Sequence, residues 1–544
     1  MLEARLWMIG LGPLALAAIG LVPIAIANTR ARSLARWAFA MSLVALGVAV
    51  TAAWVRCVLG PMRSGTLGLP EVGFGFYLDS LTAILFVLVA FVGAAVIRYS
   101  IHYLDGDPAH GQFTKWLCLT LASVLLLIIS GHLFQFALAW IATSVGLNRL
   151  LLFYPERPAA VLAARKKFVA SRIGDLCLFA ATVLLYRRVG SLDYATIFAN
   201  IQALKLESAP PGGVHAIAAL LVVAALLKSA QFPLHGWLTE VMETPTPVSA
   251  LLHAGIINAG GFLVLRFADV IVLSTPALDT LALVGGVTAL FGSVVMLTQT
   301  SVKVSLAYST IAQMGFMMLE CGLGAFSAAL LHIVAHSLYK AHAFLSSGSV
   351  IDLARASWSP SPSGPPHPAR MAFVIAVVLA IAVAVGATFG ASVTEKPGVF
   401  ALGAIVLMGL AHLLANAIDK RPNVYIVGRT LGVAVLVATA YFAVQLGTER
   451  LLAGSLPPVE SLRSPLDLAI VIAVVLSFGL VTVLQNLVPR YAHERRWQAL
   501  YVHIANGFYA NAFANRLALE FWPGPPPRPA SRRYGMTGAS EESS

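Results

Sequence analysis

Apolar runs of about twenty residues recur from one end of the chain to the other, separated by short polar or proline-containing breaks. As a helix, a run of that length crosses the hydrocarbon of a bilayer. The runs fall near 6–27, 34–59 and 77–97, twice within 116–153, and at 168–187. One ends around Lys228, one holds His253, and others lie at 276–298, from Lys303 and around His332. The last four lie near 371–390, 398–418, 431–446 and 466–488. This pattern predicts an all-α polytopic membrane protein with about 15 transmembrane helices. A transmembrane β-barrel would show short alternating segments instead.

Composition agrees, with 58% hydrophobic and 11% charged residues and a mean hydropathy of +0.83. A soluble chain of 544 residues cannot hide that much apolar surface. The formal charge of +12 forms no basic stripe with interleaved aromatics, so nucleic acid is not an expected partner and membrane lipid is. The excess sits in short connections: Arg30, Arg32 and Arg36 after the first run, then Arg157, Arg165, Lys166 and Lys167 after the fifth. The positive-inside rule puts both groups in the cytoplasm, hence the N-terminus outside and, for an odd count, the C-terminus inside. A polar connection at 98–115 carries a turn at Asp105, Gly106, Asp107 and Pro108. The four cysteines have no metal-ligand spacing, and the first run is too long for a cleavable signal. No cofactor or metal site is expected.

Ionisable residues inside the runs are the functional candidates, because each is costly in a bilayer. Lys228 lies in an apolar run that Pro233 should break, and Pro245 and Pro247 open the next helix, with His253 near one end and Arg266 near the other. Arg172 and Asp175 stand one turn apart on the sixth run and can pair, as a structural clamp or as part of a conduction path. Lys303 opens the tenth run. On the eleventh, His332, His336 and Lys340 recur every four residues and form one stripe. The two histidines could be satisfied core groups or an i, i+4 metal pair. With no glutamate between them and no third ligand, a titratable relay is the better reading.

Four motifs, KSAQFPLHGW, PTPVSALLHAG, KVSLAYSTIAQMGF and HIVAHSLYKAHAFLSSGSVI, resemble the antiporter-like proton channel family. That family includes the large membrane-arm subunits of complex I and the large subunits of Mrp sodium/proton antiporters. The resemblance implies two inverted five-helix repeats with broken helices, at 116–275 and 276–420. Residues 1–115 and 421–489 would be flanking transmembrane helices, and 490–544 a cytoplasmic amphipathic segment and disordered tail from Pro523. It also implies that Lys228 and Asp175 form a switch, with His253, Lys303, His332, His336 and Lys340 along a proton pathway. Ile141 stands where the resemblance expects the fifth-helix glutamate, and only Lys396, beside Glu395, approaches a twelfth-helix lysine.

The stretches LDGDPAHGQFTKWLCLTLASVLLLIISGHL and LNRLLLFYPERPAAVLAARKKFVASRIGDLCLF are similar to the DabB family, membrane subunits of two-component inorganic carbon accumulation complexes. This resemblance implies a membrane coupling subunit without enzymatic activity, in a bacterial inner membrane. Its partner would be a DabA-like cytoplasmic zinc protein that resembles β-carbonic anhydrase and hydrates CO2 to bicarbonate. The conducted ion is a proton or sodium. Proton-pumping respiratory or hydrogenase subunits and sodium/proton antiporter subunits stay open as alternatives. In the tail, Trp497, Tyr501, Phe508, Tyr509 and Phe513 are expected near one side of a single helix, to dock on the partner or to lie on the membrane.

Overall fold

The computed structural model describes residues 6–205, 212–349, 368–411, 414, 424–459, 465–491 and 493–522. The proline- and serine-rich connection before Pro368, the end of the thirteenth run and the tail from Pro523 lie outside them. Fifteen helical segments correspond to the fifteen runs. They are α1 (Trp7–Gly20), α2 (Ala31–Leu59), α3 (Ser80–Tyr103), α4 (His110–Ile129) and α5 (Leu133–Leu151). Next come α6 (Pro158–Val189), α7 (Val214–Lys228), α8 (Thr246–Arg266), α9 (Thr275–Met296) and α10 (Val302–Gly322). The series closes with α11 (Phe326–Leu345), α12 (Pro368–Thr388), α13 (Pro397–Met408), α14 (Val424–Leu451) and α15 (Pro465–Tyr491).

Nine helices among the described residues are long and apolar enough to cross a membrane, and α1, α7 and α13 are shorter apolar helices. The other three, α5, α10 and α11, are long enough but less apolar. They carry buried polar groups, among them Ser144, Thr310, His336 and Lys340, which lower their hydropathy.

Helix ends follow local chemistry. Pro158 starts α6, where a missing N–H costs nothing, and Gly190 ends it at φ +75°. Asp79 caps α3 by accepting from Thr82 N at 2.8 Å. The same carboxylate takes a bidentate pair from Arg266 at 2.8 and 3.2 Å, with both side chains 2% exposed, and Arg266 also donates to Thr82 Oγ1. Losing one partner of such a pair costs about 3–5 kcal/mol. Where α9 meets α10, a Cβ on Gly285 or Gly315 would come within 2.4 Å of the other helix's backbone, so small residues set the approach.

Contacts between connections sort them into two ends. At one end, Arg32 grips Asp105 at 2.7 and 3.1 Å, Lys115 donates to Val22 O, Arg157 to Glu243 O, and Gln299 to Ala505 O. At the other, Thr66 donates to Asp193, the backbone of Gly131 to Gly75 O, Ser80 to Leu451 O, and Lys396 to Glu449. Successive connections alternate between these ends, as fifteen crossings require. The connection between α2 and α3 holds two short antiparallel pairings, Met62–Arg63 with Tyr77–Leu78 and Leu67–Gly68 with Gly73–Phe74.

Several boundaries differ from the sequence reading. The first run is interrupted before Pro23, and a short helix Ile24–Thr29 follows. The 98–115 connection shrinks to 104–109, because α3 reaches Tyr103 and α4 starts at His110. The basic connection after α5 shrinks too: Arg165, Lys166 and Lys167 lie within α6. Helix α8 is itself broken, into Thr246–Ala254, a 3-10 turn at Ile256–Asn258 and Ala259–Arg266. Lys396 binds Glu449 at 2.8 Å, across the bundle end, and not its neighbour Glu395. The tail is two helices, α16 (Arg495–Ala505) and α17 (Ala510–Phe521), because Phe508 and Tyr509 take positive φ.

Candidate functional site

Helix α7 stops at Lys228, five residues before Pro233, as Ala230 takes a left-handed φ of +50°. Side chains answer the backbone groups the break releases. Ser229 Oγ donates to Ile257 O at 2.9 Å, Gln231 Nε2 to Ser229 O at 2.9 Å, and Thr288 Oγ1 accepts from Phe232 N at 3.1 Å. Irregular backbone survives at membrane depth only with such partners.

Lys228 is buried. Its Nζ donates to Ser144 Oγ at 2.8 Å and Trp140 O at 3.4 Å, and lies 4.2 Å over the Trp140 ring. The expected contact with Asp175 is absent. Asp175 instead sits 2.6 Å from the Arg172 guanidinium, one turn away on α6, where helical spacing brings the two together without help from another element. Among the described residues, no carboxylate is within ion-pair distance of Lys228. Ile141 is 37% exposed and faces outward, while Trp140 and Ser144 form the α5 face toward the lysine. A serine hydroxyl therefore holds the lysine that a glutamate was expected to meet.

Lys167, read from sequence as a connection residue, is 4% exposed, and its Nζ donates to Ser144 O at 2.7 Å. The adjacent Lys166 points to the bundle end, where it meets Glu240 at 2.8 Å, Asn511 at 2.7 Å and Asn515 at 2.5 Å. Asn511 and Asn515 also donate to Glu240. Thus α17 lies across the mouth of the break after Lys228, held by its own chain.

The second constellation lies between α8, α10 and α11. His253 is fully buried, with Nδ1 2.9 Å from Thr310 Oγ1 and its ring stacked 4.4 Å from Phe344. His336 Nε2 donates to His253 O at 3.2 Å. One turn away, His332 Nδ1 lies 2.9 Å from Glu320 Oε1; one turn the other way, Lys340 donates to Leu306 O at 3.0 Å and to Ser309 Oγ. The three stripe residues thus reach Glu320, His253 and Leu306 in turn along one side of α11. Lys303 stands apart, partly buried, donating to Thr246 Oγ1 at 3.3 Å.

Sequence reasoning missed Lys167, Ser144, Ser309 and Glu320. Glu320 had a usable signal, a lone carboxylate within MGFMMLECGLG. Pro158 could have moved the start of α6 and drawn Lys167 into the membrane. The serines had no signal, because a hydroxyl in an apolar helix more often bonds its own backbone.

Comparison with known proteins places the chain. The family described as NADH:quinone oxidoreductase/Mrp antiporter, TM, matches residues 130–358, and the complex I chain 5 N-terminus matches 66–114. The "probable inorganic carbon transporter subunit DabB2" of Halothiobacillus neapolitanus is 40% identical over 492 residues, covering 89% of this chain and 87% of that one. The DabB protein of Hydrogenovibrio crunogenus is 45% identical over 308 residues, 56% of this chain and 57% of its own. The Mrp complex from Dietzia sp. shares the fold, with a TM-score of 0.61 at 22% identity over 94% of this chain and 60% of that chain. A multi-pass, all-α architecture and a likeness along nearly the whole chain agree: this protein belongs to the DabB family of inorganic carbon transporter subunits, built on the membrane fold of the complex I and Mrp antiporter subunits.

Proposed function

We propose that this protein is the proton-conducting, non-enzymatic subunit of an energy-coupled inorganic carbon uptake complex in a bacterial inner membrane. The observation that carries the reading is a buried cationic and imidazole axis (Lys228, His253, His336, Lys340), within a chain so similar to DabB2. Ammonium and imidazole groups exchange protons with hydroxyls and water, which supports a proton as the conducted ion. Protons would run down their gradient along it. A DabA-like zinc partner would use that coupling to make CO2 hydration one-way and trap bicarbonate. The first constellation would lie within the five-helix repeat at 116–275, and the second would join His253 of that repeat to α10 and α11 of the repeat at 276–420. Clustering of the arginine-rich connections at the end where Arg32 meets Asp105 supports a cytoplasmic location for that end. There α16 and α17, whose outward faces expose Phe513 and Phe521, would meet the partner.

The test co-expresses the chain with its zinc partner and follows uptake of radiolabelled bicarbonate. Uptake should stop with a protonophore and persist when sodium is replaced by choline. Uptake that follows the sodium gradient instead would overturn the choice of ion, and an assembled complex without uptake would overturn the function.

A further inference from the structure

We infer that Lys167 is a second proton-carrying amine, paired with Lys228 across Ser144 in place of the absent fifth-helix glutamate. The inference rests on the proton-conducting reading above. Two independent observations carry it. First, one residue engages both amines: Ser144 Oγ accepts from Lys228 and Ser144 O accepts from Lys167. Second, a small, partly enclosed cavity is lined by both lysines, together with Ser171, Trp237, Leu252 and Ile256. Its room for a water centre is ≈ 10 Å³, about one water.

Charge counting explains why two amines would be gathered there. The ionised groups that act on the pair are Arg172 and Asp175, which neutralise each other on α6; the walls from α8 and Trp237 bring none. Two ammonium ions side by side would then leave two uncompensated charges out of water, which is costly. Holding one proton between the two amines removes half of that charge and leaves the other amine free to accept. The transfer balances with one water. Lys228 Nζ–H breaks as the water gains that proton, and a water O–H breaks as Lys167 Nζ gains one. The water is unchanged, and the positive charge has moved from α7 to α6. In this arrangement an amine does the accepting work that a carboxylate would do, with Ser144 fixing both donors.

A structural alternative uses the same bond, with Lys167 merely pinning α6 to the Ser144 carbonyl. Arginine separates the two, since it can donate to that carbonyl but does not give up a proton. The experiment reconstitutes the intact complex in vesicles and follows proton flux with an entrapped pH dye. The wild type is compared with Lys167→Met and Lys167→Arg, each checked for assembly by size-exclusion chromatography. Both variants should lose at least about tenfold in flux, and residual flux should show its half-maximal pH moved by about one unit or more. A Lys167→Arg complex with wild-type flux and pH profile would overturn the inference and leave the function standing. So would an unaltered Lys167→Met. A wild-type complex that moves no protons would overturn the function itself, and this inference with it.

Discussion

The surroundings of Lys228 and of Lys340 solve one problem with different neighbours. Each amine is held by a serine hydroxyl and a main-chain carbonyl, and neither meets a carboxylate within the described residues. Around Lys228 the companions are cations, Lys167 and Arg172, with a single carboxylate already committed to the arginine. Around Lys340 they are imidazoles, His336 and His253, with Glu320 committed to His332. Lys228 also ends a broken helix, whereas Lys340 sits inside an unbroken one. The first site therefore joins an interrupted backbone to a surplus of cations. The second is built on continuous helix and gathers imidazoles around its lysine. We read the first as the place where coupling is set and the second as the conducting wire.

The sharpest way to break this comparison is to remove each lysine. Lys228→Ala should abolish bicarbonate accumulation in an assembled complex, a loss of at least about a hundredfold. Normal uptake by that variant would end the assignment of Lys228. Lys340→Ala should come next, with a comparable loss of proton flux but unchanged thermal stability of the complex.

Smaller effects sharpen the contrast between wire and switch. His336→Gln keeps a donor toward His253 O but cannot carry a proton, so flux should fall about tenfold, read by the vesicle dye assay. Asp175→Asn should cost less than Lys228→Ala, because Asp175 reaches Lys228 only through space. Equal losses in the two would restore the direct switch that the family resemblance implied. Ile141→Glu should have the smallest effect on flux and should not rescue Lys228→Ala, since the side chain at position 141 is exposed. Rescue would mean that α5 rotates in the working complex.

Legible from chain order alone were the membrane setting, the number of crossings, the break after Lys228 and the His332–Lys340 stripe. These follow from local rules: run length, proline, and the four-residue repeat of a helix face act within a few residues of chain. What each ionisable group touches was set by packing. Arg172, Asp175 and Lys228 are all in the apolar runs, but which cation Asp175 takes depends on how α6 rotates against α7. Lys167 follows two basic residues and reads as a connection until Pro158 starts its helix early and α5 covers it. Ser144 became a partner because α6 and α7 converge on α5, from 23 and 84 residues along the chain. Likewise, the tail's aromatic spacing suggested one helix face, and the kink at Phe508 and Tyr509 sent α17 back to Glu240 and Lys166. In a bilayer, an ionisable group is conspicuous in sequence because burying it is costly, and its partner stays hidden because that partner is supplied by packing.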